Sequence, residues 1–459
     1  MKFIGRHEEL KRIKSKLDSI EQENMLIYGR RRIGKSFLIK KALEDYNCTI
    51  INYQCKNISI ENTIDDLSTL INENFSLNYN ITFNSIDSIL DFLFNQDKKI
   101  IFVLDEYPYL VKKIQGLDSI LQNKIDTYKH TSNLKIIISG SQIEMMKDML
   151  EYDNPLYGRF SEIINLKELN YYDTSQFYPS FSLEDKVKLY SILGGEPLYN
   201  SRINENIPVI DNILELIVKE NSYIEMTINY ILSTELTKVS NANDVLLAIA
   251  TGARKNEEIV SKAHLESSAK LNHTLNALLK LDLIEKRVPI NDESNKKKTL
   301  YYIKNNAYNF YYKYIFKNLS VRNNMDALTF YNIFIKEDFE TKYIPLIFEN
   351  IAKQYLIIKN KTNYVNPFYK IGTYWYDNKV NKTNGQFDIV TFDNNGYVFY
   401  EVKYTNEKIN NTIINNEIKQ LEKINIPYYN LGFISKNGFN INNNNNNYIL
   451  ITLEDIYNL

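Results

Sequence analysis

A chain of 459 residues is long enough for about three domains, each able to bury its own core. Its 55 Lys and Arg nearly cancel its 56 Asp and Glu, so no global basic field announces nucleic acid, and any such contact needs a local patch. Cys48 and Cys55 are too few for a disulfide framework or a Cys-based zinc site, the four histidines (His7, His130, His264, His273) lack ligand-like spacing, and no apolar run approaches the roughly 20 residues that span a bilayer.

The N-terminus, Met1-Lys2-Phe3-Ile4-Gly5-Arg6, reaches charged residues before any long apolar region, which predicts a cytoplasmic chain without a membrane partner. The apolar run Met25 to Tyr28 then leads into Gly29-Arg30-Arg31-Arg32-Ile33-Gly34-Lys35-Ser36, which fits G-x-x-x-x-G-K-[ST] at every fixed position, and the helix-like Phe37 to Leu43 follows. Strand, glycine loop and helix in that order cradle a triphosphate: backbone N–H groups and the helix start meet anionic oxygens, Lys35 reaches the outer phosphates, and Ser36 ligates Mg2+. Gly29 to Phe37 are therefore the expected nucleotide contacts.

Further apolar runs, Thr49 to Tyr53, Lys99 to Leu104 and Leu134 to Ser139, alternate with helical stretches and predict a parallel α/β sheet. The second run ends in Asp105-Glu106, a Walker B form: Asp105 holds Mg2+ through water, and Glu106 orients and deprotonates the attacking water. The third ends in Ser139-Gly140-Ser141, whose hydroxyls either sense the terminal phosphate or position water, or else cap the following helix. Arg159, after the turn Pro155 to Gly158, either stabilises developing phosphate charge, within the molecule or across an oligomer interface, or forms a surface salt bridge. Gly194-Gly195-Glu196-Pro197 breaks a helical region, as in a helical lid over a nucleotide.

Farther on, helical patterns around Asp244 to Ala250, Lys255 to Lys262 and Ser267 to Leu281 precede two strand-like runs, Leu283 to Val288 and Leu300 to Ile303. Three helices and a hairpin spell a winged helix-turn-helix. Lys270, Asn272, His273, Asn276 and Lys280 would face a DNA groove while Lys286, Arg287 and Lys296 to Lys298 on the wing meet phosphates; packing between domains is the other use of such a module. Glu349 then lies on a helix, and Phe387-Asp388-Ile389-Val390 and Tyr397 to Lys403 form a hairpin about the turn Asp393 to Gly396. Glu401 and Lys403 share one face by the two-residue period. Two carboxylates with a lysine suit magnesium-dependent phosphodiester cleavage, although exposed strands also carry Glu-x-Lys for solubility. The Asn442 to Asn447 run reads as a solvated loop.

Phe3 to Leu10, the phosphate loop, Asp105-Glu106, Ser139 to Ser141, Pro155 to Arg159 and Gly194 to Tyr199, taken in order, resemble the archaeal-type ATPase family of AAA+/STAND-like P-loop ATPases. The resemblance implies adenine as the base, Arg6 near the base or the domain edge, and Arg159 as the arginine that responds to the γ-phosphate. It further implies a C-terminal α/β domain similar to restriction endonucleases. There Glu349 would be the first-helix acid, Asp388 the central metal ligand, Glu401 and Lys403 the Glu-x-Lys pair, and Gln420 a helix polar residue. Gln386 departs from the pattern, since an acid commonly stands two residues before Asp388.

The expected architecture is a P-loop core over 1-165, a helical lid over 166-238, a winged helix over 239-305, and the nuclease-like domain with its linker over 306-459. The expected activity is hydrolysis of ATP with Mg2+, controlling DNA binding and a nuclease site at Glu349, Asp388, Glu401 and Lys403. DNA and a homo-oligomer are the expected partners. The alternative is an ATP-dependent switch or scaffold with an inactive, partner-binding C-terminal domain.

Overall fold

A computed structural model of the chain describes residues 2–75, 80–236, 239–295, 298–362, 367–378, 383–424, 426–441 and 448–459. Lys296, Lys297 and the Asn442 to Asn447 run lie outside the described residues. The chain divides into two compact units, Met1–Leu169 with Glu196–Leu198, and Asn170–Gly195 with Tyr199–Leu459.

The first unit runs α1 (His7–Asp18), β1 (Glu23–Tyr28), α2 (Lys35–Leu43), β2 (Thr49–Gln54), α3 (Ile60–Phe75), α4 (Ile86–Phe94), β3 (Ile100–Asp105), α5 (Leu117–Thr127), β4 (Leu134–Gly140) and β5 (Glu162–Asn165). Its five strands pair in parallel in the order β2-β3-β4-β1-β5. Every residue of β1, β3 and β4 is buried, because helices cover both faces, and this is why those strands read as unbroken apolar runs. Alternate residues of each strand feed separate cores: Leu26, Phe102 and Ile136 on one face, Met25, Val103 and Ile137 on the other. Parallel order brings the ends of β1, β3 and β4, and so the glycine loop, Asp105-Glu106 and Ser139-Gly140-Ser141, to one edge of the sheet.

In the second unit one core runs from Tyr171 through the helix α6 (Leu183–Leu193) to Ile456, and a second, smaller one lies between the C-terminal sheet and the helix that carries Leu421. The middle stretch forms α7 (Ala242–Ala250), α8 (Asn256–Lys262), α9 (Ser268–Lys280) and the antiparallel pair β6 (Ile284–Arg287) and β7 (Leu300–Ile303). Leu271, Thr274, Leu275 and Leu278 of α9 are buried, whereas Lys270, Asn272, His273, Asn276 and Lys280 are exposed. After a tyrosine-rich helical stretch come α10 (Ile344–Lys361), β8 (Lys370–Asn378), β9 (Thr383–Asp393), β10 (Gly396–Lys403), α11 (Asn411–Ile424), β11 (Asn430–Ser435), β12 (Ile449–Thr452) and α12 (Leu453–Tyr457). The strands form a mixed sheet of five in the order β12-β11-β10-β9-β8. β8, β9 and β10 are antiparallel neighbours, whereas β11 runs parallel to β10 and β12 to β11.

The edge strand β8 is covered by the segment that follows β6. Ile290 N–H donates to Thr373 O at 2.8 Å, and Asn291 exchanges two bonds with the Trp375 backbone at 2.7 and 3.1 Å. Gly372 permits this approach, since a Cβ there would stand 2.8 Å from Ile290 Cγ2. Lys298 pairs with Asp292 at 2.7 Å and lies 3.3 Å from the Trp375 ring centre. An edge that would otherwise offer free N–H and C=O groups is thereby closed.

Candidate functional site

The glycine loop connects β1 to α2 with the conformations its sequence requires. Gly34 has φ 96° and Arg32 φ 67°, both left-handed, and a Cβ at Gly29 would lie 2.4 Å from Leu166 O. Pro197 stands against this loop, 4.0 Å from where a Cβ on Gly34 would be. Arg6, at φ 62°, donates through its guanidinium to Ile33 O at 3.4 Å and to Lys167 O, which ties the first turn of the chain to the loop. Arg30 pairs with Glu168 at 3.3 Å, and the Phe37 ring packs 5.6 Å from that of Phe3.

Lys35 is buried, and its ammonium donates to the loop's own carbonyls at Gly29 (3.0 Å) and Arg30 (3.1 Å). Burial lowers its pKa, which Glu106 and Asp105 oppose and Arg31 reinforces. Ser36 Oγ donates to Asp105 Oδ2 at 2.6 Å, while Ser139 Oγ and the Glu106 N–H, at 3.1 Å, donate to Oδ1. Glu106 sits at φ 58°, and its Oε2 accepts from the Ser141 hydroxyl at 2.8 Å and the Ser141 N–H at 3.2 Å. A hydroxyl and a carboxylate, both hard oxygen donors, converge beside a lysine and a second carboxylate, and that donor set suits Mg2+. The serines after β4 thus have a use that neither sequence reading named: Ser139 fixes Asp105, and Ser141 fixes Glu106. Cys55 is buried behind the pair, and burial first, then Asp105 and Glu106, pushes its thiol up, out of the reactive range.

Arg159 is elsewhere. Its guanidinium pairs with Asp126 at 2.9 Å, and its carbonyl accepts from Asn24 Nδ2 at 3.2 Å. Asn24 opens β1, whereas the glycine loop closes it, so Arg159 lies at the opposite edge of the sheet and not at the phosphate loop of its own chain. The reading of Arg159 as a γ-phosphate group within the molecule is corrected by parallel topology: a residue preceding β5 emerges at the amino edge.

In the second unit, α10 places Glu349 in a cavity of about 320 Å3 that Asp388, Arg287 and Lys353 also line. The register between β8 and β9 slips here, with Gly372 opposite Val390 but Tyr374 opposite Phe387, so β9 carries one residue more than β8. This bulge re-aims Asp388. Phe387 and Val390 both join the core that includes Leu421 of α11, Ile389 joins the other core, and Asp388 opens on the cavity with its Oδ1 held by Gln386 Nε2 at 2.9 Å. Glu401 instead lies among Phe399, Glu417 and Leu421 and is paired with Lys403. Among the described residues no three His, Cys, Asp or Glu stand so as to hold one metal ion. The expected set Glu349, Asp388 and Glu401 is not drawn into one coordination sphere.

The charges nevertheless reach one another. Burial first, then Asp388 and Glu401, raises Glu349 to about 8, with Arg287 and Lys403 opposing. Glu417 is raised to about 7 by burial and by Glu401. The helix residue beside the Glu-x-Lys pair is thus Glu417, three positions before Gln420, whose amide donates to Tyr376 Oη at 3.5 Å. Arg287 and Lys298, expected on a wing, are engaged: Arg287 Nε donates to Glu285 at 2.6 Å, and Lys298 is held by Asp292 and Trp375. No helix among the described residues is long and apolar enough to cross a membrane.

Residues 3–202 match an ATPase domain predominantly from Archaea, and residues 311–418 match archaeal and bacterial proteins of unknown function. An uncharacterized protein of Methanocaldococcus jannaschii is 32% identical over 410 residues, 88% of each chain. An uncharacterized ATP-binding protein of the same organism is 44% identical over 43 residues, 9% of this chain and 73% of that protein. The Walker-type ATPase of Pyrococcus abyssi has a similar fold, with a TM-score of 0.50 at 20% identity over 68% of this chain and 96% of that one.

Proposed function

The chain belongs to the archaeal-type ATPase family, and from that premise we propose that it binds ATP with Mg2+, hydrolyses it, and uses turnover to control how its second unit engages nucleic acid. The observation that carries the hydrolysis reading is the Ser36–Asp105 contact of 2.6 Å beside a Glu106 fixed by Ser141. Ser36 and Asp105 would hold Mg2+, which would neutralise phosphate charge. Lys35 exchanges the loop carbonyls for the outer phosphate oxygens. Glu106, aimed by its left-handed backbone and Ser141, orients water and takes its proton.

Steady-state ATP turnover tests this. Lys35→Ala removes it, and Glu106→Gln keeps nucleotide binding while slowing hydrolysis by about 100-fold or more. Undiminished turnover in Lys35→Ala sinks the assignment.

For the output, the three helices and hairpin from Ala242 to Ile303 support a winged-helix reading, with the exposed face of α9 as the DNA contact. With Lys298 already held by Asp292 and Trp375, the exposed face of α9 is the favoured duplex contact. Neutralising Lys270 and Lys280 then weakens duplex binding and flattens its salt dependence; unchanged binding refutes this use. A nuclease is the second reading, favoured by the mutual electrostatic reach of Glu349, Asp388, Glu401 and Lys403. Labelled duplex and single-stranded DNA with Mg2+ decides it: cleavage lost in Asp388→Ala supports it, and equal or absent cleavage leaves the C-terminal domain a binding module.

A further inference from the structure

The cavity between β6, α10 and the β8–β9 edge contains Lys353, which none of these readings employs, beside Arg287, expected on the wing. Lys353 lies one helical turn after Glu349 and lines the same wall. Among the described residues its ammonium makes no hydrogen bond or ion pair. Burial, and the neighbouring Arg287, hold it below the ordinary lysine range, against the opposing charge of Glu285. Arg287 lines the same cavity with its Cζ 4.1 Å from the Tyr302 ring centre, and among the described residues only its Nε is engaged by a hydrogen bond, to Glu285. Glu285, Glu349 and Asp388 also line the cavity: Glu285 is paired with Arg287 Nε, Asp388 Oδ1 is taken by Gln386, and burial holds Glu349 toward its protonated form.

An ammonium without a partner, set half-buried beside a guanidinium fixed by ring stacking, is a costly arrangement unless an anion completes it. A stacked guanidinium presents a rigid fork that matches phosphate oxygens, and the ammonium supplies a point charge at its side. The volume is in the range that holds a small ligand. We propose that Lys353 and Arg287 form a site for a phosphate monoester, either the terminal phosphate of a nucleic-acid strand or a free mononucleotide. The inference stands apart from ATP turnover; Lys353 and Arg287 share their cavity with Glu349 and Asp388 of the nuclease reading, but phosphate binding there needs neither a metal ion nor strand cleavage.

The test is isothermal titration of the full-length chain carrying Lys35→Ala, so that the phosphate loop is silenced. Inorganic phosphate, a pyrimidine 5′-mononucleotide, and one short oligonucleotide with and without a 5′-phosphate are the probes. Phosphate binds the parent, and Lys353→Met weakens it by about 10- to 100-fold, the worth of one charge-assisted contact. Lys353→Arg retains binding, and Arg287→Gln, on a different element, loses it independently, so a misfolded single variant does not decide the matter. Tighter binding of the phosphorylated oligonucleotide than of the mononucleotide identifies a strand end, and equal binding a free monoester. No heat in the parent, or the same isotherm in Lys353→Met and Arg287→Gln, overturns the proposal. Loss of ATP turnover in the unmodified chain leaves these isotherms unaltered, so the two readings fail separately.

Discussion

Glu349 shows how much one residue owes to its surroundings. The sequence presents an ordinary acid on a helix, but burial with Asp388 and Glu401 near it holds the folded carboxyl at about 8, against 4.5 unperturbed. The folded state therefore binds a proton that the unfolded state has released between those values, and stability falls as pH rises from about 4.5 through about 8. Asp388, Glu401, Arg287 and Lys403 set this shift, and Glu417, raised to about 7, adds loss in the same window. Urea unfolding from pH 5 to 9 should show the decline, and Glu349→Gln should flatten it. An equally steep profile in the variant contradicts the assignment. Lys35 and Asp105 behave differently: their chemistry follows from residue type and spacing, and the structure adds only the serines that steady the carboxylates.

At the scale of elements, the glycine loop and the β8 edge both depend on absent side chains. Gly29 is legible in the sequence because the motif demands it. Gly372 is not, because its need arises from Ile290, more than eighty positions earlier in the chain. Adding bulk there, as in Gly372→Val, forces Ile290 aside and costs about 1–3 kcal/mol by overpacking. Amide exchange at Ile290, whose N–H donates to Thr373 O, should quicken in that variant while exchange in β3 and β4 stays as it was. Unchanged protection at Ile290 means that the strap does not depend on the glycine. The β9 bulge belongs to this scale as well. The two-residue period placed Glu401 and Lys403 together correctly, yet one extra residue in β9 turns Asp388 to the cavity, and periodicity alone carries no sign of it.

At the scale of the molecule, Arg159 has lost its place at its own chain's phosphate loop but keeps one role that the sequence left open. It lies at the amino edge of the sheet, paired with the half-exposed Asp126, with the exposed Tyr152 and Tyr157 rings packed 5.6 Å apart in the same turn region. If it serves a neighbouring copy, turnover per chain rises with protein concentration, and Arg159→Ala abolishes that rise without weakening ATP binding. Turnover that scales linearly with concentration in the unmodified chain excludes the role. The Ala242 to Ile303 elements, the helix that carries Glu349 and the β9–β10 hairpin were readable because helix and strand periods are local properties, whereas β8 and β11 were not read. The sequence by itself determined the phosphate loop, the carboxylates that follow β3 and the parallel sheet that aligns them, since each is set by contiguous residues and a short-range period. Only the tertiary structure decided which edge holds Arg159, which face Asp388 takes, and that Ile290, Asn291 and Lys298 pack on β8. Those outcomes depend on strand order, one slipped register and contacts between residues far apart in the chain, and no local pattern encodes them.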